Sequence, residues 1–146
     1  MLHYTSCGLQ NIWLRNGYTT VKTAYGEATS IHDLDGLHKA IGLYLVNNKP
    51  RLTGAELRFL RKELDLSQSH LATMLGVSEP SIRGWENNRS KVSAPAEKIL
   101  RAMYAAKVNG HRDINSLLER ISQLNRDIHS VKIELEETKS GWKQAA

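Results

Sequence analysis

The stretch SQSHLATMLGVSEPSIRGWENN, residues 67–88, constrains this chain more than any other. It holds two short helical patterns, 67–75 and 78–86, separated by Gly76 and Val77. Each opens on a serine, Ser67 and Ser78, whose hydroxyl can accept from the free backbone N–H groups of a first helical turn. Leu71, Ala72 and Leu75 form the inward stripe of the first helix, and Ile82 and Trp85 that of the second. Gly76 tolerates the left-handed conformation that ends a helix. Two short helices set at a steep angle by a glycine turn make a helix-turn-helix, whose second helix can enter a DNA major groove.

The residues also carry a resemblance. Ser67-Gln68, Leu71-Ala72, Leu75-Gly76-Val77-Ser78, Ile82 and Trp85-Glu86 match in order the signature of the XRE (Cro/cI-like) helix-turn-helix regulators, and residues 53–108 resemble that family. A generic helical hairpin would need neither Gln68 nor the Trp85-Glu86 pair. The resemblance implies that Gln68 contacts phosphate and braces the reading helix, and that Arg61 and Glu86 form a structural salt bridge between the first and third helices of the domain. Trp85 is expected in the core or at its edge.

With Ser78 as cap, Glu79, Pro80, Ser81 and Arg83 occupy the part of the second helix that approaches base edges. Arg83 can donate two hydrogen bonds to guanine O6 and N7, Glu79 can accept from cytosine N4, and Pro80 can touch a thymine methyl. Arg83 suits a phosphate contact nearly as well, and Glu79 suits the plain role of an acid at a helix N-terminus. Gly84 offers no side chain where relatives of the family often place a reading residue. Ser69, Ser78, Asn88, Arg89 and Lys91 lie at helix ends or in the loop beyond, and join Gln68 as expected phosphate contacts.

Charge is distributed to match. Residues 1–48 carry three Lys/Arg and three Asp/Glu, and residues 108–146 carry six of each, so the net charge of +5 sits on residues 49–107, which carry eleven and six. An excess of cations on the segment with the helix-turn-helix is what a phosphate-binding surface needs. Cys7 is the only cysteine, which rules out an internal disulfide and a four-cysteine zinc site and suits a reducing cytoplasm. His3 and Cys7 are four apart but make only two candidate metal ligands, so no metal and no cofactor is expected. No apolar run reaches the roughly 18 residues of a membrane span, and no secretory leader pattern opens the chain. Phosphate loops, nucleophile elbows and paired-carboxylate motifs are missing too, so no catalytic residue is expected and the chain does not read as an enzyme.

Three parts are expected along the chain. In residues 1–48, Asn16-Gly17 sits between β-branched and aromatic runs and predicts a hairpin with strands near 11–15 and 18–23. A third strand is expected near 27–31. Asp33 then caps a helix to about Val46 with Leu34, Leu37, Ile41, Tyr44 and Leu45 as its apolar stripe, completing a small α+β unit for partner binding or dimerisation. Asn47-Asn48-Lys49-Pro50 marks a boundary. Residues 49–110 form the DNA-binding domain, its first helix opened by a Thr53/Glu56 capping box with Leu57, Leu60 and Leu64 inward, its last capped by Ser93 with Ile99, Leu100, Met103 and Tyr104 closing the core. In residues 111–146, Ile114, Leu117, Ile121, Leu124, Ile128, Val131, Leu135 and Thr138 recur at alternating spacings of three and four. This heptad predicts a long helix to about Lys139 that dimerises as a parallel coiled coil, with a helix folded over its own domain as the alternative.

The upstream part carries a looser likeness. Tyr4 to Leu9, the hairpin, and Gly36 to Leu43 resemble the N-terminal region of antitoxin-like XRE regulators of the MqsA type. Zinc-bearing members use Cys-x-x-Cys pairs there, which this chain lacks, so no zinc requirement carries over. The expected fold is therefore mainly α: a five-helix XRE-type DNA-binding domain with a small α+β N-terminal unit and a long C-terminal helix. The expected function is a cytoplasmic, homodimeric transcription regulator, most simply a repressor on a palindromic double-stranded operator. The alternative is an antitoxin that neutralises a partner toxin through residues 1–48 and regulates its own operon.

Overall fold

Local capping decides where the helices begin. In the computed structural model, which describes residues 1–110, 135–139 and 141–144, α2 (Gly54–Glu63) starts at Thr53. The Thr53 hydroxyl accepts from Glu56 N at 3.2 Å and Glu56 Oε1 accepts from Thr53 N at 2.9 Å, which closes the capping box. Ser67, Ser78 and Ser93 likewise accept from His70 N, Ser81 N and Ala96 N to open α3 (Gln68–Leu75), α4 (Glu79–Glu86) and α5 (Ala94–Asn109). At the end of α3, Gly76 takes φ 70°, and the Gly76 and Val77 amides donate to Thr73 O and Ala72 O. That pair of bonds satisfies two orphaned carbonyls and turns the chain sharply into α4.

The core joins parts distant in sequence. Leu57, Leu60, Leu71, Ile82 and Leu100, all at 2 % exposure or less, bring α2, α3, α4 and α5 together. Leu64, expected inward, is half-buried, as is Ile99, while Phe59 and Glu56 are buried in addition. Tyr4, Leu9, Ile41 and Leu45 belong to the same cluster, so the N-terminal helix α1 (Leu34–Asn48) shares one core with the helix-turn-helix.

Close approach explains how α1 docks. Gly42 lies directly against the Tyr104 ring of α5, where any Cβ would overlap the phenol. Burial, with the Glu63 charge adding to it, pushes the Tyr104 hydroxyl up to about 12, so it remains neutral beside α1. Arg101 then fastens the end of α1: its guanidinium donates to Leu45 O at 3.0 Å, Val46 O at 2.9 Å and Lys49 O at 2.6 Å while pairing with Glu97. The Val46 and Lys49 carbonyls, which the helix end leaves open, and the Leu45 carbonyl, which also accepts from Lys49 N at 3.4 Å, are thus met by one cation at the negative pole of the dipole. On the other side, the Tyr4 hydroxyl lies 2.7 Å from His38 Nε2, and His38 Nδ1 lies 3.2 Å from Glu63 Oε1, tying the first strand, α1 and α2 together.

Three expectations need correction. The first is the stripe of α1: Leu34 and Tyr44 are 46 % and 60 % exposed, and the buried side is Ile41, Gly42 and Leu45, because the contact with α5 is built around a glycine. The second is the Asn16-Gly17 hairpin. Strand β2 (Ile12–Leu14) pairs antiparallel with β1 (Leu2–Tyr4), and β3 (Tyr18–Thr23) pairs with β4 (Gly26–Ile31), so Asn16-Gly17 links two separate ribbons. Pairing with β1 wins because the intervening loop buries Leu9 to 2 % exposure, a gain that a local turn preference cannot offset. The expected strand near 27–31 is present as β4. The third is the end of the tail, where Leu135–Thr138 form strand β5, antiparallel to β6 (Gly141–Gln144), so Leu135 is not on a helical seam. Gly141 at φ 112° supplies a conformation only glycine adopts readily, and Thr138 and Trp142 are strand formers. Ile114, Leu117, Ile121, Leu124, Ile128 and Val131, and with them the coiled coil, lie outside the described residues.

Replacing Arg101 with Met keeps the hydrocarbon stem but strands the Val46 and Lys49 carbonyls and the Glu97 carboxylate. The expected loss is about 2–4 kcal/mol of unfolding free energy by denaturant titration, with α1 amides exchanging fastest. An unchanged midpoint would contradict this role.

Candidate nucleic-acid interface

The face of α4 that can meet another molecule is set by the face that cannot. Ile82 is fully buried and Glu86, four residues on, is 3 % exposed, so both sit on the inner side of this two-turn helix. Pro80, Arg83 and Asn87 then line up on the outside, all exposed, with Glu79 and Ser81 half-buried at the start. Trp85 is half-buried on the flank, at the core edge.

Glu86 is the anchor. Arg61 Nε lies 2.6 Å from its Oε2 and Arg61 Nη2 2.9 Å from its Oε1, a bidentate pair in which the Glu86 side chain has no exposure. Arg58 Nε at 3.2 Å and Gln68 Nε2 at 3.2 Å both donate to Oε1 as well. Burial alone would raise the Glu86 carboxyl, but the hydrogen bonds from Arg61 and Gln68, the Arg61 charge and the Arg58 bond outweigh it and hold the pKa below the ordinary carboxylate value. Arg61 also donates to Leu66 O at 2.9 Å, which fixes the α2–α3 turn.

Backbone contacts seal the far end of α4. Asn88 takes φ 58°, and its Oδ1 accepts from Gly54 N at 3.0 Å. A Cβ on Gly54 would fall on the carbonyl oxygens of Trp85 and Glu86, so α2 can start this close to α4 only with glycine. Gly84, by contrast, faces Ser90 Oγ at 3.4 Å, ordinary contact distance, so its missing side chain points toward the α4–α5 loop.

The residues expected at bases and those expected at phosphates divide accordingly. Arg83 and Glu79 pair across one turn at 3.0 Å and are each close to half-exposed, a bond that a base can replace. Ser78 and Ser81 share a hydrogen bond at 2.8 Å at the mouth of the helix. Ser69, Arg89 and Lys91 are exposed, while Gln68 gives one N–H to Glu86 and Asn88 uses its oxygen on Gly54, leaving amide hydrogens for other acceptors. Two residues escaped sequence reasoning. Arg58, three before Arg61 and so on the same side of α2, reaches both Glu86 and Asn87 Oδ1, the latter at 3.4 Å, and is 44 % exposed beside the reading helix. Asn87 completes the outward line of α4. The three-residue spacing from Arg61 was the available signal for Arg58.

His3 serves local structure, its Nε2 lying 2.6 Å from Gln10 O and its ring stacking on Trp13 at 4.1 Å, while Cys7 is a half-buried free thiol packed against the core. Among the described residues no group of three or more His, Cys, Asp or Glu is placed to hold a metal, and no helix is long and apolar enough to cross a membrane.

Compared with known proteins, residues 57–102 match the family model described as Helix-turn-helix, a span running from the middle of α2 into α5. No curated protein and no solved structure matches the chain.

Exchanging Glu86 for Gln leaves Arg61 buried without its counter-charge, at an expected cost of about 3 kcal/mol near neutral pH. Because the folded carboxyl titrates below its unfolded value, the native Glu86 contributes stability that is complete above the ordinary carboxylate range and disappears as pH falls through the folded value. Denaturant curves for the two proteins should therefore converge in acid; a constant gap down to the lowest pH would contradict the ion pair as its source.

Proposed function

We propose that this chain, an XRE-type helix-turn-helix regulator by its residues 57–102, reads a specific double-stranded operator through the outward side of α4 and represses by occupying a promoter. The observation that carries the reading is the exposed line of Pro80, Arg83 and Asn87 on a helix whose Ile82 and Glu86 are buried. Arg83, with Glu79, Pro80 and Ser81, meets base edges, while Gln68, Ser69, Ser78, Asn88, Arg89 and Lys91, joined by Arg58, meet the backbone.

The active form is a homodimer on a palindromic site, with two α4 helices entering successive major grooves about 34 Å apart. The heptad repeat of residues 114–131 supports the dimer, and light scattering that reports a single chain mass would oppose it. A second reading, in which the protein is an antitoxin that also binds a toxin through residues 1–48, draws on the β3–β4 ribbon. Val21 is 54 % exposed there and Tyr25 at the tip is wholly so, a surface free to engage a protein. Copurification of a partner that survives deletion of the ribbon would count against it.

Gel-shift titration against DNA selected from random sequence, repeated across salt, tests the main reading. Arg83→Ala is expected to weaken the selected site by about 1–3 kcal/mol and relax the preference at one base pair. Lys91→Ala should instead weaken all sequences alike and shallow the salt slope by about one unit. Equal affinity of the native protein for every sequence would overturn the operator.

A further inference from the structure

Behind the α4–α5 loop lies a cleft of about 860 Å³, framed by the α1–α2 linker, the start of α2 and the first turns of α5. Its volume falls within the range of roughly 300–1,000 Å³ typical of small-molecule sites. Six of its lining residues are Lys or Arg and only one, Glu97, is acidic; Arg101 already holds that carboxylate. Lys49 also pairs with Glu56 at 3.5 Å, so the exposed cations Arg51, Arg89 and Lys91 carry the positive character of the cleft. Its inner wall is different in kind, with Leu52 and Leu57 buried and Trp85 and Val92 half-buried. A duplex backbone needs exposed cations and no such apolar recess, whereas a small molecule with a flat body and a negative end needs both.

We propose that this cleft binds a small organic anion with an aromatic or apolar body, the body lying against Trp85 and Leu52 and the anionic group meeting Arg51, Arg89 and Lys91. All three of these cations are exposed at the rim. Arg89 and Lys91 are also the loop cations assigned above to the DNA backbone, so the anion and the duplex compete, and the ligand acts as an inducer. The competition rests on the DNA-binding reading; the site itself does not.

The probe is anilinonaphthalene sulfonate, an aromatic anion that accepts excitation energy from tryptophan. It is titrated into the full chain carrying Trp13→Phe and Trp142→Phe, two exposed indoles, so that Trp85 is the sole donor. One probe per chain should bind and quench Trp85, with affinity falling at least tenfold in the added Arg51→Ala, Arg89→Ala pair and unchanged in Arg15→Ala, which lies outside the cleft. Circular dichroism verifies that each variant remains folded. Unquenched Trp85, or equal affinity in the paired variant and the parent, would overturn the site. A random-sequence duplex added to the complex should displace the probe. Failure to displace it, in a protein that shifts the same duplex on a gel, would overturn the competition. Probe binding that survives in a protein unable to shift any duplex would leave the site standing and remove the DNA reading instead.

Discussion

A carboxylate shut away from water stays ionised only where cations and donors replace its hydration. Glu86 meets that condition by collecting Arg61, Arg58 and Gln68, and in doing so it binds the end of α4 to α2 and to the start of α3. The consequence for function is geometric. With Ile82 in the core and Glu86 in the ion cluster, a helix of eight residues has no rotational freedom left, and Arg83 must point away from the protein. The same cluster that stabilises the domain therefore orients the outward face of α4, the one proposed to read DNA.

The N-terminal part acts as a brace for this arrangement. Arg101 and Gly42 hold α1 against α5, and the Tyr4, His38 and Glu63 chain ties it to α2. The helix-turn-helix thus rests on a support that reaches back to the first strand, while β3 and β4 remain outside it as a two-stranded ribbon. The cationic cleft opens where this brace meets the α4–α5 loop, which places ligand-sized space next to residues assigned to DNA.

The domain was legible where its signals are local. Serine caps at 67, 78 and 93, the Thr53/Glu56 box and Gly76 each act within a few residues, and each forms as the sequence implies. Nonlocal terms were not legible. The Asn16-Gly17 preference gave way to pairing between β1 and β2, whose reward is burial of Leu9, and the stripe of α1, right at Leu37, Ile41 and Leu45, failed at Leu34 and Tyr44, while the contact made by Gly42 is invisible to hydrophobic periodicity. The outward part of the candidate site followed from knowing which residues were core. Arg58 was missed because its bond to Glu86 spans 28 residues, and only its three-residue spacing from Arg61, which shares that partner, pointed to it. At the tail the three-four spacing ran on to Thr138, although Gly141 and the strand formers around it favour β5 and β6.

The central claim, that α4 presents its outer side to duplex DNA while Glu86 anchors the inner one, is most directly tested by amide chemical-shift mapping of the labelled protein as duplex is added. The account predicts perturbations concentrated at Ser69, Glu79, Ser81, Arg83, Asn87 and the loop through Lys91, with the Arg61 and Glu86 signals retaining their buried environment. Perturbations centred on the β3–β4 ribbon or on α1, with α4 silent, would contradict it.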